Sequence, residues 1–167
     1  MKLDYMRMNM EVSNEESKLV SFAIDEAYYG IDIMDVLEVI NPAELVKVPT
    51  LPSYVVGVAD HRENIVPIID LRRRFRLQAI PRTKRTKWII LRADDRILGI
   101  EVDRVVQVVA VTSTMKKARL QMSEGDKPWI RNVYRTPELL VFELDLKELI
   151  ETDKLDFDSD MVRKSEL

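Results

Sequence analysis

The chain repeats itself, and that limits what it can fold into. Residues 19–30 read LVSFAIDEAYYG and residues 88–99 read WIILRADDRILG. Each is an apolar, β-branched run, an acidic tight turn and a second run closing on glycine. The two lie 69 positions apart, and the match continues without a gap: GIDIMDVLEVI at 30–40 against GIEVDRVVQVV at 99–109. Further on, Ile69-Asp70-Leu71-Arg72 matches Leu144-Asp145-Leu146-Lys147, now at an offset of 75. The difference of six residues is an insertion in the second copy, placed most simply in the polar stretch 113–127. Self-similarity of this kind implies two copies of one structural unit.

Within each copy, short apolar runs alternate with polar turns. The runs predict strands over 19–24, 28–33, 36–40, 55–59 and 65–70, then over 88–92, 97–102, 105–111, 129–135 and 139–144. Asp25-Glu26, residues 60–64, Asp94-Asp95 and Thr136-Pro137 supply the turns. Asp70 and Asp145 can each accept from the backbone of a first helical turn, which predicts short helices at 71–75 and 146–150. A flat five-stranded sheet would leave two long edges and a wet apolar face, whereas a barrel removes most of that edge. The expected fold is therefore all-β: two pseudo-symmetric five-stranded barrels, about 18–80 and about 81–151, with a groove between them. Residues 1–17 are expected to be a flexible N-terminal segment and 152–167 an acidic tail.

Composition removes most chemistry. The chain has no Cys among its 167 residues. That excludes disulfides, thiolate nucleophiles and cysteine-held metals, and it fits a reducing compartment. One His leaves no His-rich metal site, and a His-based triad could run only through His61. No Gly-rich phosphate loop or nucleophile elbow occurs. The paired carboxylates Asp25/Glu26, Asp94/Asp95 and Asp32/Asp35 fall at turns or on alternating strand positions, which do not supply the pocket a general acid needs. No catalytic residue, metal or cofactor is expected. No apolar run approaches the roughly 20 residues of a membrane span, and residues 1–14 carry no apolar core of a signal peptide.

Charge is uneven. The connector 72–87 holds eight basic residues and no acid, and the chain turns acidic beyond Glu143. Such runs read as solvated faces, or as steering charge for a partner. A nucleic-acid-binding module is the alternative of a different class. The net charge of −3 and the lack of aromatics interleaved with the basic run speak against it. His61 reads as an exposed turn residue, and Trp88 and Trp129 as core. What remains is a binding surface. Val36, Glu38 and Ile40 share one face of their strand while Asp35, Leu37 and Val39 take the other, so both faces carry apolar residues. The equivalent strand at 105–109 does the same, and a groove so lined suits a partner helix.

Taken together, several stretches resemble the CheW family of chemotaxis coupling proteins. They are Tyr29-Gly30-Ile31-Asp32-Ile33, Val36-Leu37-Glu38-Val39-Ile40, Val48-Pro49, the run from Leu51 through Gly57 to Val58, Arg62, and Ile65-Val66-Pro67-Ile68-Ile69-Asp70-Leu71-Arg72. Residues 98–103 and 144–146 are similar as well. The resemblance implies two SH3-like barrels and a cytoplasmic, non-catalytic adaptor at membrane-associated receptor arrays. Its implied partners are the cytoplasmic tip of a chemoreceptor and the regulatory domain of a CheA-type histidine kinase. No nucleic acid, no membrane insertion and no cofactor are implied, and the protein alone would be a monomer. By position, the receptor-binding groove would use Val36, Glu38, Gly57, Arg62, Gly99, Val105 and Val108. Where the family usually reads Asn-Leu-Arg-Gly, this chain has Asp60-His61-Arg62-Glu63. Asp60, His61 and Glu63 are thus candidates for a partner-specificity turn. Glu tolerates a left-handed turn position less cheaply than Gly, so the turn is expected to differ or be strained. A degenerate adaptor that binds receptors without recruiting the kinase is the alternative reading.

Overall fold

Ten strands account for more than half of the residues described by the computed structural model, which are 16–115 and 129–150. They are β1 (Ser17–Ile24), β2 (Ala27–Asp32), β3 (Val36–Ile40), β4 (Val55–His61), β5 (Asn64–Asp70), β6 (Lys87–Ala93), β7 (Arg96–Val102), β8 (Arg104–Val111), β9 (Ile130–Arg135) and β10 (Leu140–Leu144). Two short helices, α1 (Leu71–Arg74) and α2 (Leu146–Ile150), follow β5 and β10. Asp70 Oδ1 accepts from the Arg72 amide at 2.9 Å and Asp145 Oδ1 from the Lys147 amide at 3.1 Å, the capping expected of both. Of the segments 1–17 and 152–167, only Glu16 and Ser17 are described, and Ser17 opens β1. Most of the insertion at 113–127 also lies outside the described residues.

The fold is all-β, with two five-stranded sheets ordered β8-β1-β2-β10-β9 and β3-β6-β7-β5-β4. The pairing obeys the repeat position by position. Leu19 faces Asp32 as Trp88 faces Glu101, and Gly30 pairs with Glu143 as Gly99 pairs with Ile68. Bulges recur too, at equivalent places before Glu38 and Gln107 and before Gly57 and Asn132.

One expectation needs correction. The halves 18–80 and 81–151 are not the two sheets. The first sheet joins the hairpin β1–β2 to β8, β9 and β10, and the second joins β6–β7 to β3, β4 and β5. Each copy lends its first hairpin to the other, because the connections into β3 and β8 are too short for the alternative.

The core follows from this exchange. Leu19, Val109, Val111, Tyr134 and Val141 fill the first sheet, and Ala59, Val66, Ile68, Trp88 and Ile90 fill the second. The largest cluster belongs to neither alone. It packs Phe22, Ile24 and Ile31 of one sheet against Ile69, Ile89, Leu91 and Ile100 of the other, capped by Leu71, Leu146 and Leu149. Trp88 is fully buried, as expected of core, with its indole N–H donating to Glu101 at 2.9 Å. Neither ladder closes by backbone pairing between its edge strands. In the second sheet the seam is crossed by the isolated bridge Val46–Val58 and by side chains from β3 and β4.

The basic connector is not simply a solvated face. Arg72 is buried, and its guanidinium bonds Asp103 at 2.7 and 2.8 Å, the Gln78 carbonyl at 2.8 Å, and Asp25. Arg74 lies between the rings of Tyr54 and Trp129, 5.1 and 4.7 Å from their centroids, and donates to the Leu149 carbonyl at 2.7 Å. Tyr54 and Trp129 are equivalent positions of the repeat, as are Arg74 and Leu149, so this side chain clamps the two copies near their pseudo-twofold axis.

Candidate functional site

Three of the polar residues singled out in the sequence meet at the open seam of the second sheet. β3 is one edge of that sheet and β4 the other, and the sheet curls until they approach. Glu38, on β3, accepts from Arg62 Nε at 3.0 Å and Arg62 Nη2 at 3.1 Å, and it shares a 2.9 Å hydrogen bond with His61 Nε2. His61 is therefore not the exposed turn residue expected from its charged surroundings. It ends β4, is half-buried, and completes the cradle around the carboxylate. The Arg62 bidentate bond, then the His61 hydrogen bond, hold the Glu38 carboxyl down at about 2. Glu38 is an anion at neutral pH, with both oxygens occupied.

The turn that presents Arg62 keeps a tight left-handed shape despite its composition. Arg62 and Glu63 have φ of 49° and 66°, and Asn64 Nδ2 donates to the Arg62 carbonyl at 3.2 Å. Two consecutive left-handed residues match the right-handed twist of a two-residue hairpin. Glu63 thus adopts the strained backbone that a glycine would take cheaply. Asp60 and Glu63 both face solvent. The first sheet has a pseudo-equivalent of this seam in which Gln107 Nε2 donates to Glu138 Oε2 at 3.3 Å. The ionic version exists in one copy only.

The remaining positions fall into three kinds. Val36 and Val105 are repeat equivalents, both half-buried against the shared core. Val108 stands on β8 with 53% of its surface exposed. Gly57 and Gly99 are buried in their ladders and present no side chain. A Cβ on Gly57 would lie 2.8 Å from the Val46 carbonyl oxygen, and one on Gly99 would lie 2.5 Å from Ile68 Cδ1. These glycines permit close packing behind the surface.

A cleft of about 480 Å³ lies between β3, β8 and the basic connector; a groove between these strands was expected from the sequence, but its basic lining was not. Val39 and Val105 line it together with Lys84, Arg85, Lys87 and Arg104. The signal was divided among an alternating strand, a charge run and one arginine, each unremarkable alone. A second cleft carries Asp32, Asp35, Asp94, Arg92, Arg131 and Lys147. Its charges are answered from within, as in the pairs Arg131–Asp145 at 3.3 Å and Lys147–Asp94 at 3.0 Å. Burial, followed by the nearby Asp32 charge, raises the Asp35 carboxyl above its ordinary range. Among the described residues no three His, Asp or Glu side chains converge as metal ligands, and no helix is long and apolar enough to cross a membrane.

Residues 18–154 match the CheW-like domain family. The chain is 32% identical over 158 residues to a chemotaxis protein CheW of Treponema pallidum, covering 92% of this chain and 93% of that one. It is 34% identical over 104 residues to a chemotaxis protein CheW of Helicobacter pylori, covering 62% and 63%. Among solved structures it resembles the scaffolding protein TtCheW of Thermoanaerobacter tengcongensis. The TM-score is 0.74 at 27% identity, over 81% of this chain and 92% of that one.

Proposed function

This chain belongs to the CheW-like domain family of chemotaxis scaffolds, and from that premise we propose that it is a non-catalytic adaptor coupling chemoreceptors to a CheA-type histidine kinase. The observation that carries the reading is the pair of edge strands β3 and β8, equivalent in the repeat and each ending a sheet. Leu37, Val39 and Val108 on them are large apolar side chains left in water. Edge strands with exposed apolar residues invite a protein partner, and the charges beside them set its register. The receptor groove would run over Val36, Glu38, Arg62, Val105 and Val108, with Gly57 and Gly99 contributing shape from behind. The adaptor would sit at the inner face of receptor arrays and raise the effective concentration of kinase near receptor. Asp60, His61 and Glu63 would tune which receptor tip is accepted, since His61 takes part of the Glu38 carboxylate that Arg62 would otherwise hold alone.

Pulldown with a receptor signalling tip and with the kinase regulatory domain tests this directly. Val108→Arg is the informative variant, because Val36 and Val105 contribute to the core and their replacement by Arg would disturb it. The variant should lose the receptor tip while its melting curve stays near wild type. Retention of neither domain by the wild-type protein would refute the proposal. Retention of the receptor without kinase activation in a reconstituted array would select the degenerate adaptor, for which the altered turn at 60–63 is the motive.

A further inference from the structure

Seven of the eight basic residues of the connector divide into two sets, and the exposed Arg76 stands apart from both. Arg72, Arg73 and Arg82 face carboxylates, and Arg74 is clamped between two rings. Lys84, Arg85 and Lys87 have no carboxylate partner among the described residues, and all three turn into the 480 Å³ cleft. Arg104 joins them from β8, its guanidinium 5.6 Å from the Tyr28 ring centroid. Among the described residues four cations and two valines line this cleft, with no acid. Uncompensated charge of one sign around an apolar strip selects an occupant that is acidic and apolar by turns.

The same chain carries such a segment. Residues 155–161 read Leu-Asp-Phe-Asp-Ser-Asp-Met. Extended, they place Leu155, Phe157 and Met161 on one side and Asp156, Asp158 and Asp160 on the other. The segment can reach. Its described root is α2, where the Leu149 carbonyl accepts from Arg74. Arg74 shares α1 with Arg72, Arg72 bonds Asp103, and Asp103 adjoins Arg104 at the cleft. Beyond Ile150 the five residues to Leu155 span about 17 Å when extended, and the eleven to Met161 about 36 Å. The cleft's flanking strands β3 and β8 are sheet edges, able to receive an extended chain.

We infer that residues 155–161 dock in this cleft within the same molecule, the three aspartates meeting Lys84, Arg85, Lys87 and Arg104 while Leu155, Phe157 and Met161 lie over Val39 and Val105. Val105 also belongs to the groove proposed for the receptor, so the docked segment would compete with that partner, and docking is read in the isolated chain. Carbodiimide cross-linking of the full chain, followed by peptide mapping, tests it. Lys84 or Lys87 should be joined to Asp156, Asp158 or Asp160 in monomers, and Lys18 and Lys47 should not. Yield should fall at least about threefold between about 0.05 M and about 1 M salt, where the screening length shrinks to about 3 Å. The variant carrying Asp156→Asn, Asp158→Asn and Asp160→Asn should shift the Val39 and Val105 methyl resonances. Cross-links spread evenly over all lysines, or absent, would overturn the inference, as would unmoved methyls. Cross-links confined to dimers would overturn it in favour of a second copy supplying the segment.

Discussion

Arg72→Met removes the ion cluster that ties the two sheets together while keeping an apolar stem of similar length. Arg72 stands on α1 behind the second sheet, and its carboxylate partners are Asp25 in the β1–β2 turn and Asp103 between β7 and β8. Its side chain is 9% exposed, against 50% for Asp25 and 20% for Asp103. Deleting one partner of a fully buried pair costs about 3–5 kcal/mol, chiefly through the stranded charge. Water reaches Asp25 and screens part of that, so the expected loss is about 2–3 kcal/mol, between the buried and the exposed limits. For a chain of this size it lowers Tm by roughly 4–12 °C. The pH dependence carries the sign. Burial works to raise the Asp103 carboxyl, and the Arg72 hydrogen bonds overcome that, leaving it below its ordinary value. A depressed carboxylate stabilises the fold above its unfolded pKa of about 3.9, and that stability disappears as pH falls through the folded value. The gap between wild type and variant should therefore be full at neutral pH and close below about pH 4. Thermal melts at several pH values read both effects. A neutral-pH loss under about 1 kcal/mol, the worth of an ordinary surface pair, would refute the assignment, as would a gap that persists in acid. Asp103→Asn added to Arg72→Met should cost less than the sum of the two singles, since the second change removes the stranded charge.

Glu63→Gly should stabilise by about 0.5–1 kcal/mol, because an L residue in the left-handed region costs about 1–2 kcal/mol and glycine returns part of that in unfolded-chain entropy; a denaturant midpoint that falls would mean the turn is not strained. Gly57→Ala should destabilise more than Gly99→Ala within the usual range of about 1–3 kcal/mol for overpacking, since the first Cβ meets a backbone oxygen and the second a methyl that can rotate; equal midpoints would contradict the geometry. The Glu38 carboxyl, followed by NMR, should stay ionised until pH approaches about 2, and Arg62→Ala should move its titration upward. Any pH dependence of partner binding between about 5 and 8 would then have to come from elsewhere than Glu38. Receptor-tip binding should be lost in Val108→Arg with the melting curve unchanged, as read by pulldown and circular dichroism.

The strands, both caps and the equivalences of the repeat were legible in the residues because all three are local properties of one stretch of chain. The seam and the basic lining of the cleft were not. His61 looks like a solvated turn residue because only the curl of the sheet carries β3 across to meet it. The connector looks like uniform surface charge, yet Arg72 and Lys84 lead opposite lives. Arg72 follows a capping aspartate on a helix that docks against the core, whereas Lys84 stands on an irregular turn before β6. Residue type and spacing are silent on which of two arginines in a row the helix turns inward.

The hairpin exchange has a cause that connection length alone supplies. The repeat says that β3 and β8 are equivalent, so either could flank β1. The partner of β1 in this position runs antiparallel to it, and hence parallel to β2. If β3 filled that position, the chain leaving β2 would have to return along the whole strand before starting β3. Six residues of strand cover about 20 Å, and the three residues Ile33–Asp35 span about 10 Å at full stretch. Parallel neighbours need a crossover of a dozen or more residues. The second copy is tighter still, with Asp103 alone between β7 and β8. Neither β3 nor β8 can join the sheet of its own preceding hairpin, and each finds the same register waiting in the other copy, Ile40 against Trp88 and Val109 against Leu19. Two units that cannot be completed separately are thereby made into one folded body. Two of the four sheet edges, β3 and β8, flank the cleft, which is where its valines and cations are brought together.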